Sequence, residues 1–271
     1  MRWRQLLAEG AEVLAAAGID SPQVDARLLA EHVAGTHLLL APDPTEQQAG
    51  EVRGLIARRA RRIPLQHLTG EMFFRSLTLP ATPGVFICRP ETELLVDEAI
   101  SEIERRREHL TIVDLCTGSG AIALAIAAET GRAVTAVEID PVPARAAAES
   151  ARALGLPVTV EIADALTWGE DGSVDLLTCN PPYVPRGELP PEVQADPPRA
   201  LWGGGDDGLE IPLIIIERAA RLLAPGGLAL IEHAESQGPA LISRAAELGL
   251  DAQTLPDLAG RPRFCRARAA V

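Results

Sequence analysis

From about residue 89 onward, short apolar runs alternate with longer stretches whose apolar residues recur at three and four, and no other feature of this 271-residue chain restricts its fold as strongly. LTIVDLC (110–116), AVTAVEI (133–139), PVTVEIA (157–163), SVDLLTC (173–179) and LALIEH (228–233) read as strands, and a short strand pair closes the chain. A stretch near 91–107, then GAIALAIAAET, PVPARAAAESARALG, IPLIIIERAARLL and SQGPALISRAAELG, read as helices. Strands that alternate with helices imply right-handed crossovers, and the helices then cover both faces of a largely parallel sheet. The prediction is a doubly wound α/β domain over 89–271 with a mostly parallel sheet of seven strands.

The region before it follows another grammar. Residues 1–63 read as a small helical module: LLAEGAEVLAAAG repeats apolar positions at helical spacing, SPQVDARLLAEHVAG starts with Ser21 as a cap before Pro22, and PTEQQAGEVRGLIARRARR follows. Residues 64–88 break into short runs punctuated by Gly70, Pro80, Pro83 and Gly84, as expected of a hairpin-like connector. Within the α/β part, 184–208 (VPRGELPPEVQADPPRALWGGGDDG) is a long Pro/Gly-rich loop, and such loops in compact domains carry function or move.

Composition removes several classes of function. A formal net charge of −13 repels phosphate backbones, which argues against nucleic acid as the direct partner. The chain has no lysine, so a Schiff-base enzyme, a Walker-type phosphate loop and a lysine general base are excluded. Four cysteines without paired spacing and five scattered histidines offer no metal constellation, and reduced thiols are expected. No run is long and apolar enough for a membrane span, and acidic residues enter the N-terminus before a signal-peptide core could form. The expectation is a cytoplasmic protein, monomeric, without metal.

The first strand of the alternating region delivers Asp114 into LCTGSGAIA, a loop that opens a helix, so Gly118 and Gly120 sit where backbone must turn sharply and approach a ligand closely. Glu138 ends the next strand, at the separation expected of a carboxylate that takes a ribose hydroxyl pair. A nicotinamide cofactor would set a pyrophosphate on the helix N-terminus, whereas S-adenosylmethionine carries no phosphate and ends in an ammonium that Asp114 could hold. Thr117, Ser119 and the two glycines would then pack the remainder, and Asp164, in IADALTW, could accept from the adenine amino group. The bland alternatives stay open: glycines that permit tight strand–helix packing, Asp114 as a turn carboxylate, Asp164 as a helix cap.

NPPY at 180–183 stops an apolar strand on residues that cannot continue its ladder. Two prolines stiffen the segment and remove two N–H donors, so what remains are acceptors: the Asn180 side-chain oxygen and the Pro181 carbonyl. Two rigid acceptors can fix the plane of an incoming NH2 group, and Tyr183, the one tyrosine of the chain, can stack on a planar amide or base. A delocalised nitrogen is a poor nucleophile, so such a site works by positioning and electrostatics, and no general base is evident.

At these residues the chain resembles the release factor glutamine methyltransferases (HemK/PrmC family), class I S-adenosylmethionine enzymes with an N-terminal helical domain. The resemblance runs through QHLTGEMFF at 66–74, GVFICRPETELLVD at 84–97, DLCTGSGAIALA at 114–125, AVEIDP at 136–141, NPPYVP at 180–185 and ALWGGGDDGL at 200–209. NPPY occurs in many amino-methylating enzymes; RPETE ahead of the glycine loop is far more specific. The resemblance implies methyl transfer to the amide nitrogen of the glutamine in the Gly-Gly-Gln motif of bacterial class I peptide chain release factors, leaving S-adenosylhomocysteine. It implies that Asn180 and Pro181, with Pro182 beside them, bind the glutamine amide and that Tyr183 and Phe86 wall the amide and methyl. Cys116 to Gly120 would line the cofactor, Glu138 its ribose, Asp164 and Ala165 its adenine, with Arg89 to Glu93 closing the pocket. The sequence departs from the family where glycine is common at Cys116, aspartate at Glu138 and an aromatic at Ala165.

Other features have two readings each. ARRARR at 57–62 suits an acidic partner, or complements a helix end and stays solvated. Trp202 could meet substrate or anchor its loop, and His67 and His233 read as structural hydrogen-bonders near the active face. If the first and fourth strands of the sheet are neighbours, Cys116 and Cys179 flank the pocket and alkylating either should block it; the alternative is two inert buried thiols. Three rival functions remain at this point. An adenine-amino methyltransferase fits NPPY and fails on charge, a non-catalytic cofactor binder has no use for Asn180, and a dehydrogenase lacks a hydride-site acid.

Overall fold

The computed structural model describes residues 2–106 and 109–271, so the last residue of the helix expected near 91–107 lies outside the described residues. Contacts divide the chain into two compact units. One holds the chain up to Glu71 together with Ala81–Pro83 and Leu189–Ala195; the other holds Met72–Pro80, Gly84–Glu188 and Asp196–Val271.

In the first unit, α1 (Trp3–Ala16), α2 (Pro22–Ala34), α3 (Glu46–Arg59) and the short α4 (Leu65–Thr69) bury one stripe each around Leu6, Leu14, Leu29, Val52 and Ile56. Gly10 lets α1 approach α3, because a Cβ there would meet the Ile56 side chain at 3.0 Å. Ser21 precedes α2 as expected but makes no side-chain cap bond; Pro22 at the first helical turn sets the start instead. At α3, Thr45 and Gln48 form a reciprocal capping box. α4 replaces what reads in sequence as the opening of a hairpin.

The arginines of ARRARR do not all stay solvated. Arg59 is buried, with Nε donating to Asp25 Oδ2 at 2.7 Å and Nη1 to Glu192 Oε1 at 3.2 Å. Arg62 also pairs with Glu192, at 2.8 Å, leaving Arg58 and Arg61 as the outward charges of this stretch.

The second unit carries the sheet. β1 (Glu71–Phe74) and β2 (Leu77–Pro80) form a two-stranded sheet whose connection places Arg75 in the left-handed region, φ 52°. Arg75 bonds Glu129 at 2.5 Å and Asp97 at 2.7 Å, and its backbone N–H donates to Glu93, which fixes the hairpin to the helices behind it. A 3-10 turn at Pro90–Thr92 leads into α5 (Glu93–Arg106). There follow β3 (Ile112–Leu115), α6 (Ala121–Thr130), β4 (Val134–Glu138), α7 (Pro141–Leu154), β5 (Val158–Ile162) and β6 (Val174–Cys179). After the long loop with its short α8 (Pro198–Leu201) come α9 (Glu210–Leu222), β7 (Leu223–Glu232), α10 (Gly238–Glu247), β8 (Asp251–Pro256) and β9 (Pro262–Arg268).

The seven strands lie in the order β5-β4-β3-β6-β7-β9-β8, parallel except at β9, which runs antiparallel to both its neighbours. Central strands are buried on both faces and are therefore almost continuously apolar, as in β3 and β6; β5, at the edge, is half exposed and alternates. α6 is apolar all round because it is buried all round, from Ala121 to Ala127. The strand order reverses between β3 and β6, and in open α/β sheets the crevice at such a reversal receives the ligand.

Candidate active site

The loop after β3 needs left-handed backbone three times: Cys116 (φ 55°), Gly118 (φ 56°) and Gly120 (φ 82°). At Gly120 a Cβ would also stand 2.9 Å from that of Ala147, so the glycine admits a close approach to α7. Glycine takes this conformation freely and cysteine does not, so Cys116 carries strain that a glycine would relieve. The loop is then stapled down. Glu138 accepts from Gly118 N at 2.9 Å through Oε2 and from Asp140 N at 2.9 Å through Oε1.

Asp114 lies under this loop rather than on a cavity wall. It is fully buried, with Oδ2 accepting from the Thr117 hydroxyl at 2.5 Å and Oδ1 from the Thr178 hydroxyl at 2.7 Å. Burial pushes its carboxyl up to about 7 even though both hydroxyls favour the charged form. Asp114 is off the cavity wall and holds the Thr117 hydroxyl, and with it the loop. Asp164 accepts from Leu166 N at 3.0 Å in a turn rather than capping a helix, and borders the cavity.

Beyond β6, Asn180 donates from Nδ2 to the Thr92 hydroxyl oxygen at 3.3 Å. Thr92 donates its own proton to Glu232 Oε2 at 2.8 Å, and Tyr183 donates to Glu232 Oε1 at 2.8 Å. Glu232 is sealed from water, and burial, opposed by these two hydroxyls, raises its pKa; burial and the neighbouring Glu232 raise that of Tyr183, which therefore stays a phenol. Gln237, also buried, donates to the carbonyls of Tyr183 (2.8 Å) and Asp207 (2.9 Å). The glycine run packs against the same segment: a Cβ on Gly208 would stand 2.4 Å from Tyr183 O, and one on Gly203 2.8 Å from Tyr183 Cα. Sequence reasoning missed Glu232 and Gln237, and named Thr92 only within the stretch Arg89 to Glu93. The signals available were RPETE, IEH and the acid preceding His233.

Between these groups lies a cavity of about 300 Å³. It gathers Phe86, Cys116, Thr117, Gly118, Ser119, Glu138, Asp164, Ala165, Asn180 and Pro182 of the expected residues. Pro181, Tyr183, Arg89, Asp114 and Gly120 are not on its wall. Arg89 shapes it from behind, pairing with Asp196 and stacking its guanidinium 5.2 Å from the Phe86 ring centroid. Trp202 is off the wall too and bridges to Val184, the loop-anchoring reading of that residue. His233 is buried with Nδ1 against Ala234 O, and His67 belongs to the helical unit. β3 and β6 are indeed neighbours, with Leu115 opposite Cys179, but of these two thiols Cys116 alone reaches the cavity, where Cys88 also lies; Cys179 is fully buried, so a reagent aimed at it meets no exposed thiol.

The wall suits an adenosine sulfonium better than a dinucleotide. Three carboxylates, Glu138, Asp140 and Asp164, face one cation, Arg199, and the rest is largely apolar: a bound positive charge is favoured and a pyrophosphate is not. Gly118 adds an open cradle, since a Cβ there would meet nothing within 4 Å.

Residues 5–70 match the family described as PrmC N-terminal domain and residues 77–196 the family described as Methyltransferase small domain. The release factor glutamine methyltransferase of Mycolicibacterium smegmatis is 43% identical over 280 residues, covering 98% of this chain and 97% of its own length. That of Deinococcus radiodurans is 40% identical over 279 residues, covering 100% and 99%. Among solved structures, the T. thermophilus 16S rRNA N2 G1207 methyltransferase in complex with AdoMet and guanosine shares the fold, with a TM-score of 0.53 and 19% identity over 73% of this chain and 49% of that one. Identity sustained from one end of the chain to the other leaves no part of it unaccounted for, and the chain belongs to the release factor glutamine methyltransferase family.

Proposed function

We propose that this protein transfers a methyl group from S-adenosylmethionine to the side-chain amide nitrogen of the glutamine in the Gly-Gly-Gln motif of bacterial class I peptide chain release factors. The observation that carries the reading is the full-length identity to proteins of that name. The acidic, phosphate-averse cavity and the AdoMet carried by the Thermus neighbour support the cofactor. When bound, S-adenosylmethionine supplies an electrophilic methyl on a sulfonium.

The chain's own residues supply position. Glu138, Asp164 and the Cys116–Gly120 backbone hold the cofactor; Asn180 Oδ1 and the Pro181 carbonyl accept the two amide hydrogens of the glutamine, with Phe86 and Tyr183 confining it. Fixing both hydrogens sets the nitrogen lone pair toward the methyl and favours pyramidalisation, which a free amide resists. Methylated, the nitrogen would carry a positive charge and be strongly acidic, so its extra proton would pass to water and no strong base is required of the site. Residues 1–63 recognise the folded release factor, the protein works as a monomer in the cytoplasm where that factor is made, and nucleic acid is not a direct partner. Among the described residues no helix is long and apolar enough to cross a membrane, in keeping with this.

The test is incubation with isotopically labelled S-adenosylmethionine and purified release factor, followed by mass spectrometry that locates the methyl. Label on the Gly-Gly-Gln glutamine is expected. Label on adenine in added DNA or RNA, with the factor unlabelled, overturns the reading. Comparing whole factor with a short Gly-Gly-Gln peptide, with and without residues 1–63, tests the recognition role: the deletion should matter only for the whole factor.

A further inference from the structure

We propose that Glu232 is a positioning residue for the acceptor site: by taking the Thr92 hydroxyl on one carboxylate oxygen and the Tyr183 hydroxyl on the other, it decides which atom of the Asn180 amide is left for the substrate. The inference rests on the function proposed above and adds to it a residue that touches neither substrate nor cofactor.

The argument is one of donors and acceptors. A carboxylate can only accept, so Thr92 must spend its single proton on Glu232. The face that Thr92 turns to Asn180 is then a lone pair, and Asn180 must answer with its NH2 group, as the 3.3 Å contact from Nδ2 records. Its Oδ1 becomes the remaining acceptor, the polarity that a substrate NH2 requires. Were Thr92 to receive a proton from position 232, its hydroxyl would donate toward Asn180 instead. The amide would turn over, and an NH2 group would face an NH2 group. The same side chain takes the phenol of Tyr183, so one buried group sets both ends of NPPY. Thr92 and Glu232 are sealed from water, which leaves no solvent to substitute for a lost partner.

The polarity can be changed with little change of shape. Thr92→Val keeps the volume and removes the hydroxyl, Thr92→Ser keeps the hydroxyl, and Glu232→Gln gives position 232 an NH2 that donates to Thr92 or Tyr183. With the full-length protein and release factor, Thr92→Val and Glu232→Gln should lower kcat by about 10- to 100-fold, the scale of a misplaced acceptor, while Thr92→Ser stays within about 3-fold of wild type. Dissociation constants for S-adenosylmethionine, measured by calorimetry, should be unchanged in all three. Equal kcat in the valine and serine variants overturns the proposal. So does a parallel loss of cofactor affinity, which marks a merely structural role. Should Thr92→Val not fold, Glu232→Gln carries the test.

A second readout does not depend on turnover. The Asn180 side-chain amide signals, assigned by their loss in Asn180→Ala, should show a hydrogen-bonded proton by NMR in wild type and Thr92→Ser but not in Thr92→Val. If wild type methylates no release factor yet this pattern holds, the function is wrong and the positioning stands; if it methylates and the pattern is absent, the positioning is wrong.

Discussion

Asp114, in β3, and Glu232, at the end of β7, are both closed off from water, and each accepts two side-chain hydroxyls. Their partners come from different distances. Asp114 takes Thr117, three residues on in its own loop, and Thr178, its register partner on the adjoining strand. Glu232 takes Thr92 and Tyr183, which are 140 and 49 residues away; the pairing of β6 with β7, Cys179 opposite Ile231, sets the Tyr183 segment beside it, whereas Thr92 lies in the turn before α5, outside the sheet. The first carboxylate braces a loop within neighbouring strands; the second ties the turn before α5 to the segment that follows β6. Loss of Asp114's partners should therefore show mainly in stability, and loss of Glu232's mainly in rate.

The strongest break should come at the end of the Glu232 chain. Asn180→Ala deletes the oriented acceptor, and turnover should fall by about 100- to 1000-fold, equivalent to about 3–4 kcal/mol, with cofactor affinity retained in the same calorimetric assay. Wild-type-like turnover would detach Asn180 from the chemistry and Glu232 with it.

A third buried carboxylate sharpens the contrast by changing the partner from hydroxyl to arginine. Burial opposes ionisation of Glu102, but hydrogen bonds from Arg268 and Arg105 outweigh it and bring its pKa down to about 2. A carboxyl lowered in the folded state stabilises above its unfolded pKa and loses that contribution as pH falls through the folded value. Glu102→Gln should cost about 3 kcal/mol at pH 7 in urea unfolding, and the difference should shrink between about pH 5 and pH 2. Asp114, raised to about 7, runs the other way: its contribution is present at low pH and is lost as pH rises through about 7, so Asp114→Asn should compare better with wild type at pH 8 than at pH 5.

Thr178→Val tests the scaffold half directly. It removes one of Asp114's two hydroxyls and should lower stability by about 1–2 kcal/mol, with kcat within about 3-fold of wild type. A kcat loss as large as that of Thr92→Val would erase the distinction between the two carboxylates. The smallest effect belongs to Cys116→Gly. Relief of left-handed strain, about 1 kcal/mol, is set against glycine's greater chain entropy, so the melting temperature should move by no more than a few degrees.

How much could be seen beforehand follows the same division. The glycine loop, Glu138 and NPPY are contiguous or lie at fixed offsets within β–α units, where backbone geometry demands particular residue types. Position on the cavity wall was less legible: Asp114 reads as a ligand because it ends a strand, but two threonines enclose it, and Cys179 reads as accessible although its strand is buried on both sides. Gly208 of ALWGGGDDGL carries a reason that no local rule supplies, since what excludes a side chain there is the backbone of Tyr183 to Pro185, while Gly203 is closed first by the Gly208 carbonyl of its own loop.

By itself the sequence determined the alternating α/β order, a largely parallel seven-stranded sheet and a proline-stiffened segment after one central strand, because each follows from periodicity or from backbone restriction within a few residues. Tertiary structure alone decided which carboxylate underlies which loop, that Arg59 and Arg62 are held by Glu192, and that Thr92 and Glu232 fix the Asn180 amide. A hydrogen bond between residues 140 apart imposes no period and no spacing on the chain. It exists only once folding has brought the two groups together and removed the water that would otherwise compete for them.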